Sequence, residues 1–249
     1  MQGCKKALDL KPFDKLTPAS AFNTANDLQL YANSFYKILP TGNTIIRGDV
    51  MSDNVAGSSA PSYLVPGGFS ATLATGWSWS SLRNVNYFLE HYRQAQVSEE
   101  ILNNYEGIAR FFRAWFYFDM VKKFGNVPWY NKALNVGDSA LFKTQDPRTL
   151  VMDSVLADLD FACANINDQK DNSSSQITRW VALAFKSRVC LFEGTFRKYH
   201  AELGLDGTSA QWLSESVSAA QELISSNKYK IHVNADPAKS YSDRFINST

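Results

Sequence analysis

What this sequence lacks narrows it first. No run approaches the roughly 18 to 20 uninterrupted apolar residues of a membrane-spanning helix, so none is predicted in the 249 residues. Charge imbalance is missing too: 25 Lys+Arg against 24 Asp+Glu leave a formal +1, which argues against a basic nucleic-acid surface or an acidic tail. The three cysteines, Cys4, Cys163 and Cys190, include no C-x-x-C pair, so neither a disulfide framework nor a zinc site is suggested. His91, His200 and His232 are scattered, with no H-E-x-x-H and no metal-ligand spacing. G-x-S-x-G, G-x-x-x-x-G-K-[ST] and a strand-linked G-x-G-x-x-G are absent, which removes the usual carriers of acyl transfer, phosphoryl transfer and dinucleotide binding. No cofactor is expected.

Apolar material is ample. Hydrophobic residues make 45% of the chain, enough for a sizeable core, and aromatic residues are in surplus with 6 Trp, 11 Tyr and 16 Phe. Residues 1–19 carry two prolines and no period, and read as a tether with a cap signal at Thr17-Pro18. A helical period runs from Ser20 to about Leu39. Residues 40–79 form a long stretch dense in Gly, Ser, Asn and Pro; loops of that length are usually functional. Helical periodicity resumes at Ser81. A second helix opens at Ser98, with Glu99 and Glu100 suiting its positive end, and stops at Gly125. It is apolar on more than one face, as a helix between neighbours must be.

Pro147 begins the next helix, with Val155, Leu159, Ala162, Cys163 and Ile166 as its stripe. Thr178 to about Tyr199 forms a second two-faced helix. One row is small (Ala184, Ser187, Cys190, Gly194) and the other bulky (Val181, Phe185, Val189, Phe192, Phe196). A last helix spans about 210–226 with Leu213, Val217, Ala220 and Ile224 in register. Strand signal is thin, confined to Thr44–Ile46 and the weak alternation of Tyr229–Val233. The expected class is all-α, built from stacked helical hairpins. Cys163 and Cys190 fall on apolar stripes as small hydrophobes.

Few residues carry chemistry. Asp158 and Asp160 stand two apart on a helix, so they face different ways and read as solvated charges rather than as a glycosidase pair. Asp49 and Asp53 lie in the long loop and can reach one ligand. Phe111, Trp115, Phe185 and Phe192 are assigned to the core by period. Tyr63, Trp77 and Trp79 sit in or at the end of the polar loop. Their rings either stack on the apolar face of a sugar, with polar neighbours bonding its hydroxyls, or plug the loop onto the helices.

Several segments then carry a resemblance. YEGIARFFRAWFYFDMVKKFGNVPWY (Tyr105 to Tyr130), SWSSLRNVNYFLE (Ser78 to Glu90), the Pro147–Ile166 segment with Asp158-Leu159-Asp160, ITRWVALAFKSRVCLFEGTFRKYH (Ile177 to His200) and SYSDRF (Ser240 to Phe245) resemble, in order, SusD/RagB-like outer-membrane nutrient-uptake lipoproteins of Bacteroidota. The resemblance implies a helical fold of tetratricopeptide-like pairs with ligand-facing loops, residues 1–19 serving as tether and 20–249 as the N-terminal portion of a longer helical domain. It implies a surface lipoprotein of the outer membrane, anchored through a lipidated Cys4, that caps a SusC-like TonB-dependent transporter. Such a protein binds a glycan, or in some members a peptide, and is not an enzyme. Trp77, Trp79, Tyr63, Arg47, Asp49, Asp53 and Asn54 are the candidate ligand contacts in the comparable loop. Two alternatives stand beside it: a helical glycoside hydrolase using Asp49 and Asp53, and a helical-repeat scaffold for proteins.

Overall fold

The computed structural model describes residues 22–48, 58–60, 64–68, 70, 72–73, 75–172, 175–233, 236–240 and 242. Among them are seven α-helices: α1 (Ala25–Asn33), α2 (Gly42–Ile46), α3 (Ser80–His91), α4 (Glu99–Phe124), α5 (Arg148–Asn165), α6 (Arg179–Tyr199) and α7 (Ser209–Ser225). The chain divides into two compact units, Met1–Gln169 and Lys170–Thr249. The class is all-α, as expected, and each unit contains an antiparallel, tetratricopeptide-like helical hairpin.

The first unit is organised by α4. Ser98 caps it, accepting from the Ile101 N–H at 3.4 Å, and Gly125 ends it at φ +73°, a conformation that side chains rarely adopt. Both faces are used. Phe111, Phe112, Ala114, Tyr117 and Val121 are buried, and α5 packs antiparallel along one side with Val151, Met152, Val155 and Leu159 buried beneath it. Gly107 allows that approach, since a Cβ there would stand 2.8 Å from Ile166 Cγ1. On the other side lie α3 and α1. Phe35, Phe88 and Phe112 interlock there with centroids 5.4 to 5.8 Å apart, the edge and tilted contacts that aromatic quadrupoles favour.

Sequence period overextends the first helix. It is α1 followed by a 3-10 turn, Ser34–Ile38, and its cap is Thr24, in a reciprocal capping box with Asp27. The tether, the Thr17-Pro18 signal and Cys4 lie outside the described residues. Tyr31 donates to Asn84 Oδ1 at 2.8 Å, and burial pushes its phenol up to about 12. Thr44–Ile46 belongs to a short helix instead of a strand, because Thr41 caps that turn through the Thr44 N–H. Tyr229–Val233 forms no strand either. Among the described residues the only β pairing is an isolated bridge, Val127 to Asp146.

The second unit is built on the hairpin of α6 and α7, and here the predicted stripe of α7 is wrong. Val217 and Ile224 are exposed at 55% and 72%, whereas Ser209, Trp212, Ser216 and Ala219 are buried. The small row of α6 decides this. Ser209 Oγ donates to the Gly194 carbonyl and Ser216 Oγ to the Ser187 carbonyl, each at 2.8 Å, so small polar residues meet at a close seam. Val181, assigned to the bulky row of α6, is also partly exposed. Cys163 and Cys190 are buried thiols, in keeping with their apolar stripes. Of the four residues assigned to the core, Phe111 and Phe185 are buried, while Trp115 and Phe192 are only part-buried.

Candidate functional site

The site grows from a correction. Asp158 is not a solvated charge: it is 2% exposed and takes the Arg113 guanidinium in a two-pronged bond, both contacts 2.7 Å. Asp160 does face outward, as two-residue spacing on a helix requires. A bidentate pair holds Arg113 in one orientation, and Nη1 then reaches Asn86 Oδ1 at 3.5 Å. The amide of Asn86 in turn donates to two backbone carbonyls, Tyr130 at 2.9 Å and Lys132 at 3.1 Å. A buried charge pair between α4 and α5 is thereby connected to the irregular segment that follows α4.

That segment, residues 128–145, is an excursion closed at its neck. The Val127–Asp146 bridge and an Arg148 N–H bond to Asn126 Oδ1 at 3.1 Å hold the neck. Side chains then fasten the excursion. Tyr117 donates to the Tyr130 carbonyl at 3.2 Å and accepts the Tyr130 N–H at 2.5 Å; burial pushes its phenol well above the ordinary range, so it stays protonated. Glu90 accepts from the Ala133 N–H at 3.2 Å, and Arg83 Nε donates to the Leu134 carbonyl at 3.1 Å. Asp146 accepts from the Trp129 N–H at 2.6 Å and pairs with Lys143 at 2.5 Å. Burial alone would raise the Asp146 pKa, but Lys143 and the Trp129 amide outweigh it and hold the carboxyl below its usual value. All but the Lys143–Asp146 pair satisfy backbone polar groups that an irregular segment leaves open.

Between this wall and the start of α3 is a cleft of about 410 Å³, with Trp77, Trp79, Arg83, Tyr130, Lys132 and Gln145 among its lining. Its base is aromatic and fixed. Trp79 packs on Phe116 and Tyr130, each at a centroid distance of 5.4 Å, and on Trp77 at 5.1 Å. Trp77 rests edgewise on Phe124 at 4.9 Å but is 48% exposed. The two readings of these rings therefore divide. Trp79 plugs the chain onto α4, and Trp77 stands on it with an open face.

Of the predicted contacts, the structure brings Trp77 and Trp79 together. Arg47 closes α2, is exposed, and does not line the cleft. Tyr63, Asp49, Asp53 and Asn54 lie outside the described residues. Sequence reasoning missed Arg83, Tyr130, Lys132, Lys143 and Gln145. The available signal was the run Trp129-Tyr130-Asn131-Lys132 just past a helix stop, which mixes rings and donors as Trp77 and Trp79 do. Among the described residues no His, Cys, Asp or Glu cluster could hold a metal, and no helix is long and apolar enough to cross a membrane.

Comparison with known proteins bears on the same region. The family model described as "Starch-binding associating with outer membrane" matches residues 67–181, which include the Trp77–Trp79 corner, α3, α4 and the cleft wall. Over these residues the chain is similar to the SusD-like family. Two curated relatives come from Formosa agariphila. SusD-like protein P2 is 24% identical over 79% of this chain and 41% of its own length; SusD-like protein P38 is 24% identical over 99% and 46%. The chain thus spans less than half the length of these curated relatives. In fold it is similar to a SusD-like carbohydrate binding protein from Bacteroides fragilis, with TM-score 0.67, 17% identity, and coverage of 85% of this chain and 42% of that one. A laminarin-binding SusD-like protein gives TM-score 0.62 at 20% identity, covering 81% and 44%.

Proposed function

We propose that this SusD-like chain captures a glycan at the outer membrane and passes it to a SusC-like TonB-dependent transporter, without turning it over. The observation that carries the proposal is the cleft. A half-exposed indole stands on a rigid aromatic base beside Arg83, Lys132 and Gln145, which is what a sugar needs: an apolar ring face to stack on and donors for its hydroxyls. Similarity over residues 67–181 to a family described as starch-binding, and the likeness to a laminarin-binding protein, support a glycan in preference to a peptide. Loop residues Arg47, Asp49, Asp53, Asn54 and Tyr63 are proposed as further contacts. Cys4 is the proposed lipid anchor, which would place the chain on the cell surface.

Affinity electrophoresis through gels containing different polysaccharides, with a peptide panel in parallel, tests the reading. Retardation by at least one glycan with no release of reducing ends is expected. Binding of peptides alone would overturn it, as would hydrolysis that disappears in Asp49→Asn or Asp53→Asn. Co-purification of a TonB-dependent barrel, lost together with membrane association in Cys4→Ala, is the expected result for the delivery step.

A further inference from the structure

The charges around the cleft are arranged asymmetrically. Arg83, Lys132 and Lys143 line it, and no carboxylate among the described residues does. Among the described residues, the acids near its rim are turned into the wall: Glu90 is bonded to the Ala133 N–H, Asp138 to the Asn135 N–H at 2.8 Å, and Asp146 to Lys143 and the Trp129 N–H. Lys143 is thus neutralised within the wall, where its ammonium also lies 5.3 Å from the centre of the Tyr130 ring. The other two cations are not. Arg83 donates only to neutral acceptors, the Leu134 carbonyl and Asn135 Oδ1, and a guanidinium with five N–H donors has several left over. Lys132 is exposed, and its ammonium makes no hydrogen bond or ion pair with any described residue. Arg83 follows Trp79 by one helical turn, its backbone N–H bonded to the Trp79 carbonyl at 2.9 Å, so the two residues start from one helical frame, and the bonds to Leu134 and Asn135 hold the guanidinium at the wall.

We infer that the sugar favoured by this cleft carries a negative charge, a carboxylate or a sulfate ester on the ring that stacks against Trp77, held between Arg83 and Lys132. The inference rests on the glycan reading above and adds the ligand's chemical class. A neutral sugar uses only the ring face and hydroxyl donors. An anionic one also exchanges the water around two unpaired cations for charge-assisted bonds, which are stronger than neutral ones.

Calorimetric titration of the protein with three tetrasaccharides of matched length separates the possibilities: a galacturonate, a sulfated galactan and a neutral galactan. At least one anionic sugar should bind about tenfold or more tightly than the neutral one, with the margin shrinking as salt rises. Lys132→Met, and Arg83→Gln, which keeps a donor for the wall, should each weaken the anionic sugar about three- to tenfold and the neutral one by less than about twofold. Which anionic sugar binds tells carboxylate from sulfate, and either supports the inference. Equal affinity for the neutral sugar, or variants that weaken both kinds alike, would overturn it while leaving glycan capture intact. Absence of binding to any sugar by folded protein would overturn both.

Discussion

Replacing Asp158 by Ala tests how the cleft is held together. The carboxylate is 2% exposed and the Arg113 residue 8%, so the variant strands a guanidinium where water does not reach it. Removing one partner of a buried pair costs about 3 to 5 kcal/mol, mostly the penalty for leaving the other charge uncompensated. For a chain of this size each kcal/mol lowers the thermal midpoint by about 2 to 4 °C, which makes the expected fall about 6 to 20 °C. Differential scanning calorimetry and urea unfolding, followed by tryptophan fluorescence, measure it. Asp160→Ala serves as the control: its side chain faces outward and the change should stay within about 0.5 kcal/mol. Arg113→Met combined with Asp158→Leu should recover much of the loss, because no buried charge then remains. Hydrogen exchange at the wall should rise in Asp158→Ala, since Arg113 no longer steadies Asn86 against the Tyr130 and Lys132 carbonyls. A loss no larger than that of Asp160→Ala would refute a buried, wall-orienting pair.

Two further outcomes follow from contacts in each unit. In Gly194→Ala the new Cβ would stand 2.8 Å from Leu213 Cδ2 and Cγ and 3.0 Å from the Leu213 nitrogen, so overpacking of about 1 to 3 kcal/mol should exceed the gain of about 1 kcal/mol in helix propensity. Urea midpoints check this, and adding Leu213→Ala should make the pair less than additive. Asp146→Asn probes the neck by pH. Because the folded carboxyl is held below its ordinary 3.8, its contribution is complete above that value and is lost as pH falls through the folded one. The stability gap between wild type and Asp146→Asn should therefore be full near neutral pH and close below pH 3.8; a gap that is independent of pH would contradict the Lys143–Asp146 bond.

The parts of this fold legible in the sequence are those governed by local rules. Ser98 and Gly125 bound α4 because caps and positive φ act within a few residues, and a helix apolar on two sides has to lie between neighbours. Asp158 reads as a solvated charge in sequence because its partner is 45 residues away and periodicity does not report which charge is enclosed. The buried face of α7 is hidden in the sequence because large apolar residues at helical spacing outweigh Ser209 and Ser216 on any hydropathy scale, while the close seam with Gly194 and Ser187 selects small ones. Half of the cleft was visible through Trp77 and Trp79. The other half, from Pro128 to Gln145, has no period of its own and is shaped by side chains from α3 and α4.

Glycan capture at the Trp77 cleft is tested most directly by titrating wild-type protein and Trp77→Ala with an oligosaccharide that retards the wild type in affinity electrophoresis. Stacking on an open indole face predicts that Trp77→Ala, with its fold unchanged by circular dichroism, weakens binding about tenfold or more. Unchanged affinity in that variant would contradict the cleft as the binding site.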